Sequence, residues 1–200
     1  MAITQRRTQE ERRAETRGKV LDATIASLLE GGYTATTTRR VAELAGVSAG
    51  AMTHHFPHRV DLVGAAIERL ADQRVRILGE AAADLPVERA ARTRGALELL
   101  WGDFSSDLFT IFVKLWVAAA DDSELYQRLV PLERQMTRQI AAALPAFVGD
   151  DGPEDVADRV TLALAAMRGL ALSAAYEPRG GRARDPWPKV RPLLEELLTS

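Results

Sequence analysis

Three histidines, His54, His55 and His58, crowd into five residues with Asp61 close behind, and the cluster raises the question of a metal. His54 and His58 cannot share one regular helical face across Pro57. No thiolate can complete a ligand set either, because the chain contains no cysteine. No metal is expected here, and contact with solvent or phosphate suits these imidazoles better. Asp103 and Asp107 lie one helical turn apart and could make a carboxylate pair for acid–base work. Solvated acids on a helix surface account for them more simply. The chain has no glycine-rich phosphate loop, no nucleophile elbow and no zinc-protease histidine pair. No catalytic residue is assigned, and neither an enzyme nor a cofactor is expected.

Chemistry directed at a polyanion is better supplied. Thr37, Thr38, Arg39 and Arg40 put hydroxyls and guanidiniums at the start of a short helical pattern, where helix N-termini favour phosphate. "VAELAGVSAG" follows, with Gly46 suited to a tight left-handed turn and Ser48 to an N-cap. Two short helices joined by about three residues containing glycine make a helix-turn-helix, expected over 37–56. The second helix of such a motif enters the major groove. Its first residues here, Ala49, Gly50 and Ala51, are small enough to let it sit deep, and the Ala51 methyl can pack on a thymine methyl.

These residues need positioning elements, and the chain reads as helical throughout. Val20–Leu21, Thr24–Ile25 and Leu28–Leu29 recur at amphipathic spacing until Gly31-Gly32 stops the pattern. Thr37 caps a second helix with Val41, Ala42 and Ala45 inward, and Pro57 ends the third. A fourth begins near Arg59 with Val63, Ala66, Ile67 and Leu70 on one face. Further helices are expected near 87–103, 105–120, 123–147, 153–176 and 187–199, about nine in all, with no strand and no repeat. The "EPRGGRARDPWP" stretch is the best candidate for a flexible loop. The expected fold class is all-α: an N-terminal three-helix helix-turn-helix domain, then a C-terminal helical ligand-binding and dimerisation bundle.

Charge divides the same way. Residues 1–60 carry nine Lys+Arg against six Asp+Glu, and residues 61–200 carry 17 against 22. A basic head on an acidic body suits one end that binds a polyanion and another with a different task. The N-terminal arginines (Arg6, Arg7, Arg12, Arg13) fit either a solvated tail or an arm, residues 1–11, that reaches the duplex. The apolar run "LFTIFVKLWVAAA" is shorter than a membrane span and carries Lys114, and no secretory signal opens the chain. A cytoplasmic protein with no membrane partner is expected.

The string "LDATIASLLEGGYTATTTRRVAELAGVSAGAMTHHFPHRVDLV" resembles the DNA-binding domain of the TetR family of bacterial transcriptional regulators. The aromatic after the glycine pair (Tyr33), the threonine-rich cap, "AGVS", the small recognition helix and the "HHF" end fall in order over about a third of the chain. The resemblance implies DNA-backbone contact from Thr38, Arg39, Thr53, His55 and Arg59, and base-edge contact from Ala49, Gly50 and Ala51. Thr53 stands where members usually carry tyrosine, and Ala49 where many carry lysine or glutamine. Shape, water and His54 then take on more of the readout.

The expected domains are 1–72 for DNA and 73–200 for effector binding and dimerisation. The apolar run reads as a helix buried all round. Trp101, Phe104, Phe109, Phe112 and Trp116 gather about it, with Tyr126 and Met136 downstream. Any one of them suits core packing; together they suit a cavity for an apolar or aromatic molecule, which in the family binds an inducer. Lys114 either lays its methylenes along the helix and reaches water, or points into that cavity to meet Asp107 or an anionic group of the effector. The small-residue helix (Ala163, Ala165, Ala166, Gly169, Ala171, Ala174, Ala175) and the last one (Leu193, Leu194, Leu197, Leu198) suit a homodimer interface. The expected protein is a homodimeric repressor released from double-stranded operator DNA by a small effector. The alternatives are a dimeric DNA-binding regulator without an effector and, third, a helical adaptor that binds only protein.

Overall fold

Capping explains where the helices begin and end. A computed structural model of the chain describes residues 8–148, 155–176 and 185–199, without the side chains of 136, 137, 139–148 and 174–176. The described residues hold nine α-helices and no strand: α1 (Gln9–Ala35), α2 (Thr38–Ala45), α3 (Ala49–His55), α4 (Arg59–Ala83), α5 (Arg89–Phe104), α6 (Asp107–Ala119), α7 (Ser123–Val148), α8 (Val156–Tyr176) and α9 (Trp187–Thr199). Thr37 accepts from the Arg40 N–H at 3.1 Å and Ser48 from the Ala51 N–H at 3.2 Å, so both helices of the expected motif carry hydroxyl caps. Gly46 ends α2 in the left-handed region, with φ 65°.

The start of α1 corrects the expected arm. Thr8 and Glu11 form a reciprocal capping box, Thr8 N–H to Glu11 Oε2 at 2.7 Å and Glu11 N–H to Thr8 Oγ1 at 3.2 Å. Residues 9–11 are therefore helical, and Arg12 and Arg13 stand exposed on α1. Arg6 and Arg7 lie outside the described residues. At the other end α1 breaks at Gly32, whose φ of 68° is non-helical. The Thr36 hydroxyl donates to the Gly32 carbonyl at 2.8 Å and bonds the Ser27 hydroxyl at 3.0 Å, pinning the break in place.

The chain forms two compact units. One comprises Met1–Ala71 with Lys114–Leu132; the other comprises Asp72–Val113 with Glu133–Ser200. In the first, Val20 and Leu21 of α1, Val41 and Ala42 of α2, Met52 and Phe56 around α3, and Leu62, Ala65 and Ala66 of α4 close one core. In the second, Leu97, Leu100 and Phe104 of α5 meet Val160, Ala163, Met167 and Ala171 of α8 and Trp187, Leu194 and Leu198 of α9.

α6 is not buried all round. Ile111 and Leu115 are enclosed, yet Val117 is 59% exposed. On α8, Ala163 and Ala171 face inward while Ala165 and Gly169 face out, and Ala174 and Ala175 lie outside the described side chains. No helix among the described residues is long and apolar enough to cross a membrane.

Gly46 tests the turn between α2 and α3. A Cβ there would meet nothing within 4 Å, so only backbone strain opposes a side chain. Gly46→Ala is expected to lower stability by about 1–2 kcal/mol with no change in fold, measured by urea unfolding. An unchanged midpoint would mean that the turn accommodates another conformation.

Candidate nucleic-acid interface

A seven-residue helix is too short to persist alone in water, so α3 depends on its anchors. Met52 is 2% exposed and Phe56, four residues on, 5% exposed; they fasten one face into the core of the first unit. The opposite face then presents Ala49, Gly50, Thr53 and His54 to solvent. Beside it runs an open cleft of about 400 Å³, lined on the α2 side by Thr38, Arg39 and Glu43 and on the α3 side by Ala49, Met52 and Thr53. Ser48 is occupied as a cap, and the Thr53 hydroxyl donates back to the Ala49 carbonyl at 3.0 Å. Ala51 is half-buried behind the exposed row.

His55 closes α3 next to α1. Burial, then the positive charges of Arg13, His54 and Arg17, hold its pKa below the ordinary imidazole value. Its ring is therefore neutral at pH 7 and set among cations. No group of three or more His, Cys, Asp or Glu side chains among the described residues could hold a metal.

Two expected contact residues have partners within the first unit. Arg59 lies over the Tyr33 ring, 3.9 Å from its centroid, with Asp122 at 3.8 Å. It joins α1, α4 and the start of α7 within the first unit, a cation stacked on an aromatic face. Lys114, half-buried, is held by main chain rather than by Asp107. Its ammonium donates to the Leu29 carbonyl at 2.6 Å, at the end of α1 just before the Gly32 break. This is helix C-capping by a cation, and no composition pattern announces it. Further along, Arg128 pairs with Glu68 at 2.8 Å and crosses Gly64 so closely that a Cβ there would meet its Nε at 2.3 Å.

The expected effector residues divide between the units. Trp101, Phe104, Phe109 and Phe112 belong to the second; Lys114 and Trp116 belong to the first, where Trp116 meets Tyr126 edge-on. Met136 lies outside the described side chains. Phe104 and Phe109 pack edge to face at 5.3 Å inside the core, and Trp101 stacks on Trp187 at 4.8 Å. Asp103 is not a solvated acid: it forms a buried ion pair with Arg74 of α4. Burial, reinforced by Arg168, pushes the Arg74 guanidinium down to about 10, still charged at neutral pH.

A capped helix-turn-helix with one bare, exposed helix, standing beside a basic face of α1, defines a DNA-binding protein. The model of bacterial regulatory proteins of the tetR family matches residues 20–66, which span α1 to α4. The regulator CymR of Pseudomonas putida is 32% identical over 177 residues, 86% of this chain and 85% of its own. An uncharacterized HTH-type transcriptional regulator of Mycobacterium tuberculosis is 28% identical over 198 residues, 97% of this chain and 98% of its own. Among solved structures, the multidrug-binding protein EbrR complexed with proflavin superposes with a TM-score of 0.61 at 20% identity, covering 92% of this chain and 99% of that one. The chain belongs to the TetR family and is a transcriptional regulator with a DNA-binding domain, not an enzyme.

Two measurements probe this geometry. Lys114→Met removes the donor to Leu29 and is expected to cost about 1–2 kcal/mol in denaturant unfolding; a variant as stable as the parent would show that the carbonyl is met equally well by water. If His55 meets a phosphate, DNA binding raises its depressed pKa. Affinity should then grow as the pH falls from about 7.5 to about 6, and His55→Gln should flatten that dependence at fixed salt. Parallel profiles for parent and variant would place His55 away from the backbone.

Proposed function

We propose that the protein is a homodimeric repressor that binds operator DNA through α3 and leaves it when a small molecule occupies the C-terminal region. The bare outer face of α3 carries this reading, because it has the shape of a helix built to enter a groove. Residues 1–72 would serve as the DNA-binding domain and 73–200 as the effector and dimerisation domain, acting in the cytoplasm. Thr38, Arg39, Ser48, Ala49, Gly50, Ala51, Thr53, His54 and His55 form the DNA-facing set, with Arg59 withdrawn into a supporting role.

An outward stripe on α8 and α9 supports the dimer. Leu162 is 59% exposed, Leu172 38% and Leu193 64%, with Ala165 and Gly169 between the leucines of α8. Small residues flanked by exposed leucines allow two copies of the helix to approach closely and bury apolar surface, and a two-fold axis matches two half-sites. The EbrR complex with proflavin supports an aromatic effector by analogy. α6 would carry its signal, since Asp107–Val113 belong to the second unit and Lys114–Ala119 to the first. A ligand with different affinities for the two positions of this helix shifts the population between them.

The close packing of Phe104, Phe109, Trp101 and Trp187 favours a second reading, a dimeric regulator with no effector. Titrating the operator complex with aromatic carboxylates and aromatic cations, while following tryptophan emission, separates the two. Release of DNA by some member of the panel supports the first; emission and affinity unmoved by all of them support the second.

Gly169→Glu tests assembly. A Cβ at Gly169 meets nothing within 4 Å of its own subunit, so the substitution spares the fold. A carboxylate buried without a partner in an apolar interface is strongly unfavourable, and the variant should sediment as a monomer with weakened operator binding. An intact dimer would move the interface elsewhere.

A further inference from the structure

The second unit encloses a charged pair that has no part in the helix-turn-helix. Arg74 of α4 and Asp103 of α5 meet as an ion pair in which each side chain is only 9% exposed. Asp103 takes the terminal Nη2 of the guanidinium. Arg74 Nε is buried and has no acceptor among the described residues. Burial disfavours the Arg74 charge, and Arg168 of α8 lies close enough for its own positive charge to oppose it further. No carboxylate among the described residues pairs with Arg168. Around Arg74, then, two guanidiniums are set against a single carboxylate.

Stability alone is a poor reason for this arrangement. A buried ion pair is tolerated when its remaining donors are met, and apolar side chains of similar volume often do as well or better. Here one N–H is unmet and one positive charge is in excess. The surroundings are apolar: Leu100 and Phe104 flank Asp103 along α5, and Met167 precedes Arg168 on α8, all three enclosed in the core of this unit. A strongly hydrated inorganic anion would lose its water there for few contacts. A carboxylate carried on an apolar body suits both features, since a guanidinium edge meets carboxylate oxygens through charge-assisted N–H···O bonds.

We propose that Arg74 and Arg168 bind the carboxylate of an organic acid with an apolar body, which supplies the negative charge that Asp103 alone leaves missing. The proposal rests on the reading that a small molecule occupies the C-terminal region, and it names the chemical class of that molecule. One ligand oxygen accepts from Arg74 Nε and the other from the Arg168 guanidinium, while Asp103 keeps Nη2. The filled cluster then holds two positive and two negative charges, all within the second unit. Neutral molecules leave the excess charge unmet and cations add to it, so the same cluster selects against both.

Titrating the full-length protein with benzoate, 1-naphthoate and decanoate, each beside its amide, and with benzylamine tests this. Tryptophan emission reports on the site, because Trp101 stands two residues from Asp103 and stacks on Trp187. At least one carboxylate should bind about tenfold or more tightly than its amide. Arg168 is exposed, so Arg168→Gln spares the fold, and it should remove most of that preference. Asp103→Asn is the sharper variant: with the resident carboxylate gone, carboxylate affinity should rise while amide affinity stays. Arg74→Met alone strands Asp103 and can fail to fold, so it is paired with Asp103→Asn, and the double variant should lose the preference. A preference unchanged in Arg168→Gln, or an Asp103→Asn variant that is only less stable, makes the pair structural and overturns the proposal. Amides or benzylamine that bind as tightly as every carboxylate and release operator DNA overturn the anionic class and leave the effector reading standing. If no compound binds and operator affinity is unmoved by all of them, the effector reading falls and this proposal with it.

Discussion

Where α1 breaks at Gly32, its last turn holds carbonyl oxygens that the helix cannot satisfy, and such groups within a fold must find donors elsewhere. The first unit is organised around that need. Thr36 supplies a hydroxyl to Gly32 and Lys114 an ammonium to Leu29. Tyr33, one residue past the break, becomes the platform on which Arg59 lies with Asp122 beside it. Burial holds the Tyr33 phenol above its ordinary pKa, in keeping with a ring enclosed by these partners. The break in one helix thereby gathers the start of α4, the later half of α6 and the start of α7 around the three helices that present α3.

α3 shows a division of labour between anchoring and presentation. Seven residues supply little helical stability, so Met52 and Phe56 provide the rigidity through the core. With the fold secured from behind, the outer face can be stripped to hydrogen and methyl at Gly50 and Ala49. Polar chemistry is displaced to the flanks, onto α2 and onto the cationic cluster around His55.

Much of this was legible in the chain because much of it is local. Thr37, Gly46, Ser48 and Pro57 act within a few residues of where they stand, so the boundaries of α2 and α3 follow from residue type. The start of α1 was equally local, with Thr8 and Glu11 at capping-box spacing, but the basic residues around them suggested an arm instead. The ion pair of Arg39 with Glu43 on α2 too was within reach, since the two stand four residues apart. The roles of Arg59, Lys114 and Asp103 were not readable, since their partners lie far along the chain, at Asp122, Leu29 and Arg74. The mutual contacts of the aromatic cluster were hidden for a related reason. Composition counts rings but does not say whether they close on one another, as Phe104 and Phe109 do, or leave room between them.

The contact between α6 and α1 has an acceptor made of main chain and a donor made of side chain, and its two ends are exposed to mutation unequally. Any residue at position 29 presents the same carbonyl, whereas at position 114 only a side chain with a long reach and a terminal donor can meet it. Sequence drift along α1 therefore leaves this link untouched, and drift at a single codon in α6 can sever it. Gly64 carries a matching vulnerability from the opposite direction, because every replacement adds a Cβ where Arg128 already lies. The first unit can diversify over most of its outward surface, including the outer row of α3, while two inconspicuous positions, 64 and 114, keep its later segments against α1 and α4.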